Sequence, residues 1–185
     1  MQDVNADRRL LLGTLGWERD DWLRDYYPED LPPEWRLAYY ANACDCVMLA
    51  ADRWVGAPHE TLEESLDELG GRLRFFLARP ARWAPWSRAN LALFDASQVV
   101  LLVDRPDPAE DTFPQWVAQG PGCWVDADGN SGLQRWAVDS ADLRVLRASA
   151  ERMPSTTAAL VLDGPAASPG LIPRLRTLLE LLGRA

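Results

Sequence analysis

Short apolar runs alternate along the chain with segments in which apolar residues recur at helical spacing. The runs Leu10–Leu12, Val47–Ala51, Leu73–Leu77, Val99–Val103, Cys123–Val125, Leu143–Leu146 and Ala158–Leu162 predict seven strands. Pro32-Pro33-Glu34 opens a helix expected to reach Cys44, proline being well suited to a helix start. After Pro58, the segment Thr61–Leu69 puts Leu62, Leu66 and Leu69 on one helical face, and Gly70-Gly71 ends it. Trp86–Phe94, a short Phe113–Gln119 segment, Leu133–Val138 and Pro173–Leu182 complete the expected helices.

The expected strands are near-continuous apolar runs, the habit of parallel strands covered on both faces. Strand–helix alternation with short links implies βαβ units in one α/β domain, residues 10–185, behind a polar tail at 1–9. An eight-unit barrel typically takes ~250 residues. At 185 residues the expectation is a TIM-barrel-like fold that is shortened, with an incomplete or distorted barrel.

Composition narrows the partners. With 28 acidic and 19 basic residues, the net charge of −9 disfavours nucleic acid and anionic membranes. No apolar run approaches the ~20 residues of a membrane-spanning helix. Met1 to Arg9 holds no signal-peptide core, so the expected compartment is the cytoplasm. The basic residues are all arginine, which removes Schiff-base chemistry and a lysine general base. Cys44, Cys46 and Cys123 would all have to join His59 to complete a zinc set; buried reduced thiols are the expectation, with no metal and no cofactor. Nine tryptophans point to core and interface anchors. A shortened barrel leaves apolar surface uncovered, so a homodimer is expected.

Five blocks in order carry a resemblance. They are Gly13-Thr14-Leu15-Gly16-Trp17, Trp22, Tyr27-Pro28, Leu31-Pro32-Pro33 and Leu37-Ala38-Tyr39-Tyr40-Ala41. This order resembles the opening of the YecE-like TIM-barrel family, bacterial domain of unknown function 72, over about residues 10–80. The resemblance implies a barrel with ionisable groups at its centre. Where relatives carry a Glu and an Asn in strand two, this chain has Met48 and Ala50; where they carry a Lys in strand three, it has Ala78. Neither Met nor Ala can move a proton or carry charge. The resemblance therefore implies a family member whose polar centre is lost.

Ligands of parallel α/β folds sit at the carboxyl ends of the strands. Read there, the ligand-binding candidates are Trp17, Asp52, Arg53, Arg79, Arg105, Arg147 and Asp163, and the catalytic candidates are Asp104, Asp126 and Asp128. Arginines can grip a phosphate or carboxylate bidentately, and paired aspartates can hold a cation or exchange protons. The plain alternative is that each Asp caps a helix or makes a turn and each Arg pairs with one. Asp126-Ala127-Asp128-Gly129-Asn130 starts like a calcium loop, but Ala137 stands where that loop needs its Glu. Trp83 and Trp86, beside Arg79 and Arg82, offer a stacking surface or, more simply, core and interface anchors. No dinucleotide, P-loop or nucleophile-elbow pattern occurs.

The expectation is thus a non-catalytic binding or scaffold relative, with a small anionic ligand or a protein as partner. The alternative is an enzyme with a re-formed Asp/Arg site, such as a metal-assisted hydrolase of an anionic small molecule.

Overall fold

The computed structural model describes residues 9–108 and 112–184. Its strands close into one barrel in chain order, β8 pairing back onto β1. Strand β1 (Leu11–Leu15) is followed by α1 (Asp20–Asp25), a 3-10 turn (Pro33–Trp35) and α2 (Arg36–Tyr40). Strand β2 (Cys46–Leu49) precedes α3 (Ala51–Val55) and α4 (His59–Asp67), and β3 (Arg74–Ala78) precedes α5 (Pro85–Leu91). From β4 (Val99–Val103) the described chain reaches β5 (Gln115–Gly120) with no α-helix, then turns back as β6 (Cys123–Val125) and again as β7 (Gly132–Ala137). Helix α6 (Leu143–Glu151), β8 (Thr157–Asp163), a second 3-10 turn (Pro169–Leu171) and α7 (Ile172–Leu181) follow.

The α/β barrel expected from the strand–helix rhythm is present, but it has eight strands rather than about seven, and it closes. Three segments differ from their sequence expectation. Phe113–Gln119, read as a helix, contains β5, and Leu133–Val138, also read as helical, is β7. Leu143–Leu146, read as a strand, begins α6, where the Asp142 carboxylate accepts from the Arg144 N–H at 2.8 Å and caps the helix. The first two follow from one departure: β6 runs antiparallel to both β5 and β7. Antiparallel neighbours need only tight turns, whereas parallel ones need a crossover of a dozen or more residues. Pro121-Gly122 links β5 to β6, with Gly122 at φ 71°, the left-handed position that glycine fills without strain.

Side chains alternate across the wall. Leu12, Val47, Phe75, Leu77, Val99 and Leu160 face outward, where they pack with Leu37, Trp54, Leu62, Leu91, Leu146 and Leu175 from the helices. Cys46, Met48, Phe76, Val100, Leu102, Leu133, Ala159 and Val161 face inward and form a second cluster, with Trp116 and Trp124 against it. At the β1–β2 seam the strands press together: a Cβ on Gly13 would lie 1.8 Å from the Cys46 carbonyl oxygen. Tyr40, fully buried, stitches the same seam. Its hydroxyl accepts from the Thr14 N–H at 2.9 Å and donates to the Cys46 carbonyl at 2.8 Å. Near the start of β2, Asp45 accepts from the Leu12 N–H at 3.0 Å and pairs with Arg176 at 2.7 Å and Arg9 at 3.1 Å. Arg9 is the described end of the expected polar tail; the rest of that tail lies outside the described residues.

Candidate functional site at the carboxyl rim of the barrel

The middle of the barrel is filled. Met48 is 3% exposed within the inward-facing cluster, Ala50 is half-buried where β2 passes into α3, and Ala78 is half-buried at the mouth. Trp124 projects inward from β6, and the Arg135 guanidinium lies 6.0 Å from the centre of its ring. Arg135 Nε in turn lies 3.9 Å from Asp163 Oδ2 at the end of β8. The charged groups of this face therefore stand around the mouth, above an apolar plug.

Clefts open on that rim among the described residues. One, of 380 Å³, lies past β3 and β4 and is lined by Ala78, Arg79, Leu102, Asp104, Arg105 and Trp124. Arg79 is tied there to Asp107, its Nε buried without a hydrogen-bond partner among the described residues. Asp104 and Arg105 are exposed. The second cleft, of 270 Å³, lies past β1 and β2 against α4, with Trp17, Glu18, Arg36, Leu49, Arg53 and Leu62 among its walls. Arg36 Nη1 holds Glu18 Oε1 at 3.1 Å, and Arg36 Nε is buried with no hydrogen-bond partner among the described residues. Trp17 is set by Tyr27, whose hydroxyl donates to the Trp17 carbonyl. Burial raises the Tyr27 hydroxyl far above its ordinary titration range, so it stays a donor.

The structure thus brings Trp17 and Arg53 together, and Arg79 with Asp104 and Arg105. It does not unite the three catalytic candidates. Because β6 is antiparallel, the β6–β7 turn carrying Asp126 and Asp128 lies at the end of the barrel where β7 and β8 begin, opposite Asp104. Asp126 is a turn residue: its carboxylate accepts from the Asn130 N–H at 2.8 Å, and Gly129 takes φ 71° beside it. Asp128 is exposed in the same turn. Arg147, expected at a strand end, lies on the exposed face of α6 and pairs with Glu151 at 2.8 Å, because its segment is helical. Asp52 is exposed on α3. Among the described residues, no cluster of three or more His, Cys, Asp or Glu side chains is placed to hold a metal ion.

Other singled-out residues have structural partners. His59 Nδ1 lies 2.9 Å from Asn90 Oδ1, and Asn90 donates to the Trp54 and Ala57 carbonyls at 3.0 and 2.9 Å. Trp83 packs on Trp54 with centroids 5.9 Å apart, under the Arg88 guanidinium, whereas Trp86 is 63% exposed. Cys44 and Cys46 are buried, and burial pushes the Cys44 thiol up to about 12 and the Cys46 thiol well up, so neither is a nucleophile.

Sequence reasoning missed Arg36, Glu18, Trp124 and Arg135. Glu18 follows Gly16-Trp17 directly and was open to notice as part of the same loop. Trp124 and Arg135 had no such signal, since their inward orientation depends on the antiparallel register.

No helix among the described residues is long and apolar enough to cross a membrane. No curated protein and no solved structure matches the chain. Residues 11–83 match the family model described as "Protein of unknown function DUF72", the stretch that builds β1, β2, β3 and the walls of the Trp17 cleft. By this partial match, the chain is similar to the DUF72 family over residues 11–83 of its 185.

Proposed function

We propose that this protein is a non-catalytic binding relative of its family, which takes a small anionic ligand at the rim of the barrel rather than at its centre. The observation that supports this most is the filled interior. Met48 lies between Cys46, Phe76 and Leu102 where the resemblance implies an ionisable group, and Trp124 stands at the mouth. A buried cluster of thioether, thiol and hydrocarbon offers no group to take or give a proton. Arginine side chains at the rim supply the anion-binding chemistry instead. Self-association through the β5–β6 face, over which no helix lies among the described residues, agrees with its half-buried apolar side chains.

The enzyme alternative is favoured by one observation, the Arg135–Asp163 pair at the mouth, where a carboxylate and a guanidinium face solvent together. Incubation of the protein with a panel of small esters and phosphate esters, followed by NMR, separates the two. The binding reading expects ligand-induced thermal stabilisation and no turnover. Turnover abolished by Asp163→Asn would overturn it.

A further inference from the structure

We infer that the cleft between β1, β2 and α4 is a receptor for a small monocarboxylate with an apolar body, an assignment that deepens the binding reading above and rests on it. Its two kinds of wall define the ligand. Trp17, Leu49 and Leu62 form an apolar surface, and Arg36 and Arg53 supply guanidinium groups. Arg36 spends Nη1 on Glu18, and its buried Nε has no hydrogen-bond partner among the described residues. Arg53 is exposed on α3, and among the described residues no carboxylate forms an ion pair with it. Free guanidinium N–H groups match the planar, two-oxygen face of a carboxylate.

Charge sets the valence. Two arginines and one glutamate line the cleft, a single positive excess. The neighbouring 400 Å³ cleft, which shares Glu18 and Arg53, adds Asp20 and Asp21 to the rim, with Arg19 already committed to Asp21 and to the Gly164 carbonyl. A dianion such as a phosphate monoester meets these carboxylates at close range, while a monoanion is neutralised by Arg53 alone. Volume sets the size. At 270 Å³ the cleft is just below the ~300 Å³ at which drug-sized pockets begin, room for one ring and a short carboxylate arm.

Calorimetry with 3-phenylpropionate, its alcohol 3-phenylpropanol and phenyl phosphate tests the assignment on the full chain. The carboxylate should bind at least about tenfold more tightly than the alcohol or the phosphate. Arg53→Gln should abolish that preference; as an exposed substitution it leaves the fold intact, which circular dichroism checks. Glu18→Gln should tighten 3-phenylpropionate binding and bring phenyl phosphate closer to it, because it removes the repelling carboxylate. Absence of carboxylate binding, equal binding of the alcohol, or a preference that survives Arg53→Gln would overturn the monocarboxylate site and leave the non-catalytic reading untouched. Slow chemical conversion of the probe, lost in Asp163→Asn, would overturn the non-catalytic reading while the carboxylate preference still stood.

Discussion

From β1 to β4 the strands are buried on both faces through their central residues, walled inside by the apolar plug and outside by helices. From β5 to β6 most positions are only half-buried, and no helix covers the outer face among the described residues. The first region is built of parallel crossovers, whereas β5, β6 and β7 are joined by two antiparallel turns before the chain returns to a parallel crossover through α6 to β8. The difference teaches how a short chain closes a barrel. Each antiparallel step replaces a crossover with a few turn residues, at the cost of an uncovered wall. It also explains where the family signal lies, since residues 11–83 fall wholly within the crossover half. The Trp17 cleft belongs to that half, whereas Trp124 and Arg135, which shape the mouth, come from the hairpin half.

Substitutions of the same kind in the two halves sharpen this contrast. Gly13→Ala should cost about 3 kcal/mol or more by chemical denaturation, because its Cβ meets backbone that cannot move aside. Gly120→Ala, in the hairpin half with nothing within 4 Å, should be close to neutral. A comparable loss at Gly120 would break the contrast. Tyr40→Phe should cost about 1–3 kcal/mol, since it leaves the Thr14 N–H and Cys46 carbonyl buried without their partner.

A hydroxyl introduced on the outer face reads helix coverage directly. Val99→Thr, at a fully buried position, should cost about 1–3 kcal/mol, and Val117→Thr on the half-buried β5 less than about 1 kcal/mol. If Val117→Thr proves as costly as Val99→Thr in dilute solution, the β5 face is covered after all. If its cost grows with protein concentration, self-association covers it.

The smallest effect is at the seam where the halves meet. Arg19 pairs with Asp21 and donates to the Gly164 carbonyl at 2.7 Å, joining the loop after β1 to the loop after β8. The Arg19 hydrogen bond lowers the Asp21 carboxyl to about 2. A carboxyl lowered on folding contributes stability above its unfolded pKa near ~4 and loses it as pH falls through about 2. The pair is solvent-screened, so Asp21→Asn should lower stability by no more than about 1 kcal/mol near neutral pH. Melting curves of the two proteins should converge below pH 2; a gap that persists there would mean that Asp21 acts through something other than its charge.

Much of the crossover half was legible in the sequence. Val99–Val103, Leu73–Leu77 and Thr61–Leu69 are long enough, and their period clear enough, for local chemistry to decide them. Helices α1 and α3, each under two turns, left no such period. In the hairpin half, the apolar residues of Gln115–Gly120 and Gly132–Ala137 make up only half of each short segment, and such runs fit either period. Pro121-Gly122 and Asp128-Gly129 were the turn signals that would have identified the hairpins.

At the site, the sequence by itself determined which residue types could serve: arginine in place of lysine, tryptophan after β1, and Met48 and Ala78 where the resemblance implies charge. Those are matters of composition and local order. Only the tertiary structure decided which of them meet. Strand direction sends Asp126 and Asp128 to one end of the barrel and Asp104 to the other, and helix packing brings Arg36 to Glu18 across the loop after β1. A strand's apolar run is the same read in either direction, so its orientation is set only by the neighbours it pairs with.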